Sequence, residues 1–372
     1  MGLKIVRYEA THETAVADFN RRLSSAGVDF QFFERCASQW LPPDESAPVY
    51  RTYRLAIDDE GVVRGAYGLR VQDFSINGET HSVANYQLPL SEGIFDPSFR
   101  TVGTRLLRSA LREFPLLYSL GMGGIDKPLP RLLSASGFDL TLVPFFFRVL
   151  RASTFLQEME VMRRSPLRRF IAGLSSATKL GPLAIHALQK ARTRIHPDSR
   201  YSLEEAQEWG PAVDEIWERV NRENFVLGVR HCGALKRIFP SSNAANRRFI
   251  MRRDGQAVGY VVVRSTKMTD DQYFGNMTLG SIVDGWAAED DLKQLVCLAS
   301  RELEALGADL VISNQILASW IRALTAGGYL SFRSNFALAI SPKLSSLMGG
   351  PLIDIGPQCH FNRSDGDGPI HI

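Results

Sequence analysis

A chain of 372 residues is longer than one ordinary core organises, so two domains are the first expectation. Its 45% apolar and 22% charged residues exclude a disordered chain, and no apolar run approaches the roughly 20 residues of a membrane-spanning helix. The formal net charge of +3 hides an asymmetry, because residues 151–200 hold ten Lys/Arg against three acids and the remainder is net acidic.

The first residues, MGLKIVRYEATHE, lack the apolar core of a secretory signal, so a cytoplasmic protein is expected. A helix follows in ETAVADFNRRL (13–23), where Ala15, Val16, Phe19 and Leu23 share one face. DEGVVRGAYGLRV (59–71) turns at Glu60-Gly61 and continues as an apolar strand. A longer strand, Val83–Ile94, leads into EGIFDPSFRTVGTRLL (92–107), a Pro-broken loop followed by a helix over Thr104–Phe114 that Pro115 ends. The strand Leu116–Leu120, the glycine turn LGMGG and a helix over Lys127–Ala135 come next. That helix stops at Gly137-Phe138, and the apolar strand VPFFFRV closes the series.

The series then repeats. GPAVDEIWERV (210–220) matches the first helix, DGQAVGYVVVRS (254–265) the turn and strand, and RALTAGGYLSFRSNFALAI (322–340) the helix, Gly-aromatic and strand. The spacings Ala15 to Ala212, Gly65 to Gly259 and Gly137 to Gly328 are 197, 194 and 191 residues, nearly one common offset. In the second copy the strand Met277–Val283 precedes the helix Glu289–Leu306, followed by the strand Asp309–Ser313 and the helix Ala318–Thr325. The expected organisation is therefore two α+β copies at 1–152 and 199–345, a basic helical linker at 153–198, and a tail at 346–372.

This order, with Pro-x-x-Arg-x-x-Gly leading into the helix after the central strand, resembles the GNAT acyl-CoA N-acyltransferase family. The ASGF ending is similar to that family's closing unit. The resemblance covers both copies and implies two tandem GNAT-like domains, each a mixed central sheet flanked by helices. PLSEGI (89–94), PLLYSLGMGG (115–124) and VPFFFRV (143–149) also resemble acyltransferase-like proteins of bacterial exopolysaccharide gene sets.

The resemblance implies acetyl-CoA or another acyl-CoA as cofactor, its pyrophosphate held by backbone amides at a helix start. Carried over, Arg100 and Gly103 match the family's Arg/Gln-x-x-Gly-x-Gly/Ala, and Thr101, Val102 and Thr104 supply further loop amides. Arg105 departs, standing where a small residue is usual, and either crowds the pyrophosphate or grips it. A strand N–H near Ile94–Phe95 is the expected polariser of the thioester carbonyl. Copy two has no Arg-x-x-Gly, and Glu289, Asp290 and Asp291 stand where the phosphates would lie, so copy two is not expected to hold CoA.

Glu92, at the end of the central strand, is the candidate base that deprotonates an amine, with a surface salt bridge or loop cap as its alternative role. The family's usual acidic Tyr is replaced by Leu133 and Leu324, which leaves Tyr118 and Tyr86 as substitutes or as core residues. Tyr86, Met122, Gly123 and Gly124 are assigned to the substrate, although Gly121, Gly123 and Gly124 also simply make a turn. Cys36, Cys232, Cys297 and Cys359 form no CxxC pair and the histidines show no ligand spacing, so reduced thiols and no metal are expected.

The leading expectation is transfer of an acetyl or acyl group to a small-molecule or glycan amine, such as an amino sugar of a surface polysaccharide. A degenerate tandem GNAT serving as scaffold or regulator, and an aminoacyl-tRNA-dependent peptidyl transferase, are the alternatives. The linker reads either as a helical packing segment or as a peripheral contact with anionic lipid. Its basic residues are not interleaved with aromatics, so no nucleic-acid partner is expected.

Overall fold

The computed structural model describes residues 2–37, 40–158, 193, 195, 197–219, 225–271 and 274–371. Most of the basic linker lies outside the described residues. The strands and first helices, in chain order, are β1 (Leu3–Arg7), α1 (Glu13–Ser25), β2 (Val49–Asp58), β3 (Val63–Ile76) and β4 (Glu79–Ser91). After them come α2 (Val102–Glu113), β5 (Leu117–Leu120), α3 (Pro128–Ala135), β6 (Asp139–Leu142), β7 (Phe145–Val149) and α4 (Ala152–Glu158). The second half contributes β8 (Tyr201–Glu205), β9 (Val226–Gly228), β10 (Asn246–Arg253), β11 (Gln256–Lys267), β12 (Thr278–Ala287), β13 (Leu310–Asn314), β14 (Leu330–Phe332) and β15 (Ala337–Ile340). Its helices include Pro211–Arg219, Cys232–Ile238, Glu289–Ala305, Ala318–Ala326 and Pro342–Met348.

These elements form two compact units that interleave along the chain. Unit 1 is Met1–Leu142, Val226–Val229 and Ala337–Ile355, and unit 2 takes Val143–Phe225, Arg230–Phe336 and Gly356–Ile372. In unit 1 the strand order is β1-β2-β3-β4-β5-β15-β6, and in unit 2 it is β14-β7-β13-β12-β11-β10-β8. The sheets are mixed, since β4 pairs β5 and β12 pairs β13 in parallel while their other neighbours run antiparallel. Both are flanked by helices, so the fold class is α+β with two such sheets.

The consecutive boundaries expected at 152 and 199 differ from this arrangement because the closing strands exchange. β7, the last strand of the first copy, pairs with β13 and β14, and β15, from the second copy, pairs with β5 and β6. Both strands are apolar and buried, so either sheet satisfies them by burial alone. Polar contacts fix the choice in unit 1: Ser341 Oγ accepts from Leu117 N–H at 3.1 Å and donates to Pro115 O at 2.8 Å, pinning β15 beside β5.

Two helices cover the unit 1 sheet. On one face α2 buries Val102, Leu106, Leu107 and Ala110 against Tyr67, Leu69, Val71, Ala84 and Tyr86. On the other, α1 buries Val16, Phe19 and Leu23 against Tyr53, Leu55, Ala66 and Leu90. Burying an aliphatic side chain of this size stabilises the fold by about 1.5–3 kcal/mol. The period-2 pleat then places Arg51, Arg70, Gln72, Asn85 and Gln87 on the α1 side, with Arg51, Arg70 and Asn85 directly opposite one another across three strands.

Candidate active site

A wedge opens in the middle of the unit 1 sheet. β4 and β5 pair only at Ala84↔Leu117 and Asn85↔Tyr118, although β4 runs on to Ser91. Ser119 Oγ donates to Tyr86 O at 2.9 Å where the ladder stops. The β3–β4 register then slips between Ala66 and Gly68, and Leu88 takes a left-handed φ of 44°. A bulge of this kind turns the end of β4 away from β5.

The chain leaves the wedge through two short 3-10 turns, Glu92–Ile94 and Pro97–Phe99. Ser91 caps the first by accepting from Gly93 N–H, and Asp96 caps the second by accepting from Ser98 N–H at 2.9 Å. Hydrogen bonds from Ser98 hold the Asp96 carboxyl below its usual value. The turns pack tightly against each other: a Cβ on Gly93 would lie 2.6 Å from Phe99 O. Ile94 remains 56% exposed, a large apolar side chain facing solvent at the loop.

The helix that follows is uncapped. Thr101 is the N-cap residue of α2 and makes no side-chain cap bond, and there is no acid in the first turn. Within the loop, Arg100 N–H donates to Pro97 O and Arg105 N–H to Thr101 O. The amides of Thr101, Val102, Gly103 and Thr104 lie between these two bonds, at the position where a helix start leaves its donors unsatisfied. A Cβ on Gly103 would meet only Leu132 Cδ2, at 3.8 Å, so packing does not require the glycine. Arg100 and Arg105 are both exposed beside these amides. The set offers donors and positive charge and no carboxylate, which suits a pyrophosphate.

Glu92 has a different environment from the one a strand-end carboxylate implies. It is 2% exposed, accepts from Arg22 Nε at 2.6 Å on one oxygen, and accepts from Arg64 Nη1 at 2.9 Å on the other. Arg64 also pairs with Asp58 at 2.8 Å and lies over the Phe99 ring, 4.5 Å from its centroid. Both Glu92 oxygens are thus committed to guanidinium donors, and the residue ties α1, β3 and the loop together. The Phe95 N–H, expected to polarise a thioester, donates instead to Glu92 O at 3.1 Å.

The remaining assigned residues fall on opposite faces. Tyr86 packs under α2 against Tyr67, with ring centroids 5.3 Å apart, and burial pushes its phenol well above the ordinary value. Tyr118 is also buried but lies on the α1 side, opposite Asn85 in the ladder and 5.7 Å from the Phe74 ring. Met122, like Leu129 and Leu132, packs against the α2 cluster. Gly123 and Gly124 take φ of 74° and 113°, values that make them turn residues.

Sequence reasoning missed the polar patch on the α1 side. Arg51 Nε donates to Gln87 Oε1 at 3.0 Å, Arg70 Nη2 to Gln72 Oε1 at 2.8 Å, and Trp40 lies 4.6 Å from the Arg51 guanidinium. The alternation Leu69-Arg70-Val71-Gln72 in β3 is the signal that marks a polar second face.

The same position in unit 2 is filled. β12 and β13 pair only over Leu279–Ser281, and beyond it the chain's own tail bridges the two strands. Asn362 Nδ2 donates to Asp284 Oδ1 on β12 at 2.9 Å, and Arg363 Nη1 donates to Asn314 Oδ1 on β13 at 3.2 Å. Arg230 is fully buried between Asp284 at 2.8 Å and Asp365 at 2.6 Å. The helix start of unit 2 carries Glu289, Asp290 and Asp291; Glu289 is paired with Arg322, and Asp291 accepts from Tyr201 and Arg253.

No family model matches the chain, and no curated protein matches it by sequence. Solved structures do match. A GCN5-related N-acetyltransferase from Anabaena variabilis superposes with a TM-score of 0.53 at 9% identity, over 91% of this chain and 72% of that one. A Saccharomyces cerevisiae N-myristoyltransferase structure with bound myristoyl-CoA and inhibitors gives 0.51 at 9% identity, over 91% and 79%. At such identities the likeness is one of fold alone, the fold that these N-acetyltransferase and N-myristoyltransferase structures share.

Proposed function

We propose that the chain is an acyl-CoA-dependent N-acyltransferase that works through unit 1. The observation that carries this reading is the uncapped, acid-free start of α2 after the point where β4 and β5 part, set against a second copy whose strands are bridged by the tail and whose helix start is acidic. Arg100, Arg105 and the amides of Thr101 to Thr104 take the pyrophosphate, with Leu129, Leu132 and Met122 as an apolar wall nearby.

The acyl group enters the wedge between β4 and β5. Ala84 N–H and Tyr86 O both face β5, so the next backbone group on that edge is at Leu88, and we place the polarising N–H there rather than at Phe95. The free amine attacks the thioester carbon, the C–S bond breaks, the proton shed by nitrogen goes to water, and the thiolate takes up a proton. Glu92 serves as a positioning residue. Of the assigned catalytic pair, Tyr118 is the one on the polar α1 side and is the candidate donor to the thiolate. We take the acceptor to be an amine on a small molecule or glycan, such as an amino sugar.

Calorimetry with acetyl-CoA, followed by a thioester screen over acyl lengths and amino-sugar acceptors, tests the reading. Binding that is lost in an Arg100→Ala, Arg105→Ala double variant is the expected result. Absence of binding at about 1 mM, a weak limit on the affinity scale, defeats the cofactor assignment and leaves the scaffold alternative.

A further inference from the structure

We propose that unit 2 carries a binding pocket for a compact organic anion, with its anionic group on Arg248, Lys236 and the Trp209 indole N–H and its apolar body against Trp209, Phe239 and Pro240. None of these residues belongs to the acyl-CoA loop, and the proposal does not depend on the acyltransferase reading.

The pocket is a cavity of about 210 Å³. Trp209 leads into the helix Pro211–Arg219, Lys236 lies on the helix Cys232–Ile238, Phe239 and Pro240 form the turn after it, and Arg248 projects from β10. Arg248 is 7% exposed, yet its hydrogen bonds go to neutral carbonyls: Nη1 donates to Pro240 O at 2.9 Å and Nε to Ala206 O at 3.3 Å. Among the described residues no carboxylate lies within ion-pair reach of it. Burial lowers the pKa of this guanidinium, and the charges of Glu205 and Glu208 oppose that without forming an ion pair with it.

The second signal is independent. Trp209 is 3% exposed, lines the cavity, and its Nε1–H has no hydrogen-bond partner among the described residues. An indole N–H can only donate, and buried donors are nearly always satisfied. Glu208 is the single carboxylate among the lining residues and is exposed, so two cations and an orphan donor outweigh it. Trp209, Phe239 and Pro240 give the remaining wall an apolar character. The volume lies below the roughly 300–1,000 Å³ of drug-sized sites, which restricts the occupant to about one ring with its charged group.

Benzoate is the probe, with benzamide as its uncharged counterpart and inorganic phosphate as an anion without an apolar body. The chain has five tryptophans, so an indole N–H spectrum of the full chain resolves few signals, and Trp209→Phe identifies its own. The expected result is a saturable movement of the Trp209 resonance with benzoate and none with benzamide. By calorimetry, Trp209→Phe and the exposed-site variant Lys236→Met each weaken benzoate about tenfold, as loss of one charge-assisted hydrogen bond does. Phosphate then binds more weakly than benzoate. An unmoved resonance at about 10 mM benzoate, equal response to benzamide, or affinity unchanged in both variants overturns the proposal.

Discussion

Arg22 Nε donates to Glu92 Oε1 across 2.6 Å and so fastens α1 to the turn that closes β4. With Arg64 on the other oxygen, the carboxylate is a fastening rather than a free base. Glu92→Gln should therefore lower stability by about 2–3 kcal/mol, less than the 3–5 of a fully buried pair because Arg22 and Arg64 keep some solvent. Urea unfolding checks this. An unchanged midpoint together with a collapsed kcat would return Glu92 to the role of base.

Gly93 and Gly103 stand ten positions apart and should answer oppositely to alanine. Gly93→Ala forces a Cβ to 2.6 Å from Phe99 O, so the two turns must separate and acetyl-CoA affinity should fall at least tenfold. Gly103→Ala has room and lies within a helix, so stability should rise by about 0.5–1 kcal/mol. If its amide nevertheless meets phosphate at close range, CoA affinity drops while the protein becomes more stable, a combination that thermal unfolding and calorimetry separate.

Much of this was readable in the residues. Leu106, Leu107 and Ala110 recur at helical spacing and fix α2, and Gly137 and Gly328 end matching helices. The strand exchange was not readable, because FFFRV and ALAI are both apolar strands and neither names its sheet. The salt-bridge alternative for Glu92 could not be given its partners for a related reason: Arg22 and Arg64 lie 70 and 28 residues away, beyond any local pattern. The tail reads as loop from its Gly, Asp and Pro content, while its burial rests on Arg230, 135 residues from Asp365.

Arg105 is the residue at which the proposed cofactor loop departs from the GNAT pattern it resembles, and its exposure, like that of Arg100, favours grip over obstruction. Arg105→Ala should weaken acetyl-CoA about three- to tenfold, with Arg100→Ala at least as costly, since each removes a charge-assisted contact. The affinity of the parent chain should fall with salt more steeply than that of either variant. A tighter Arg105→Ala variant would mean that the side chain obstructs the site.

The tail of unit 2 sets the chain's response to acid. His360 is fully buried beside Trp286, their rings 5.1 Å apart, and burial lowers its pKa below the ordinary value despite Asp284 and Asp365, with Arg230 opposing them. The folded state thus keeps it neutral, and the unfolded chain binds a proton first, below about pH 6.5. Its contribution is complete above that pH and declines as pH falls. Burial raises Asp284, but Arg230 and Asn362 outweigh it, and the net value is lowered. Its contribution is present above the unfolded value of about 3.9 and is lost as pH falls through the folded one. Unfolding midpoints should therefore decline in two stages, the first below about pH 6.5 and the second below about pH 4. His360→Asn should flatten the first stage and leave the second. Asp365→Ala, which strands the fully buried Arg230 with one carboxylate, should cost about 3–5 kcal/mol at neutral pH. A parent chain whose midpoint is flat from pH 7 to 5 would show that His360 does not titrate with unfolding.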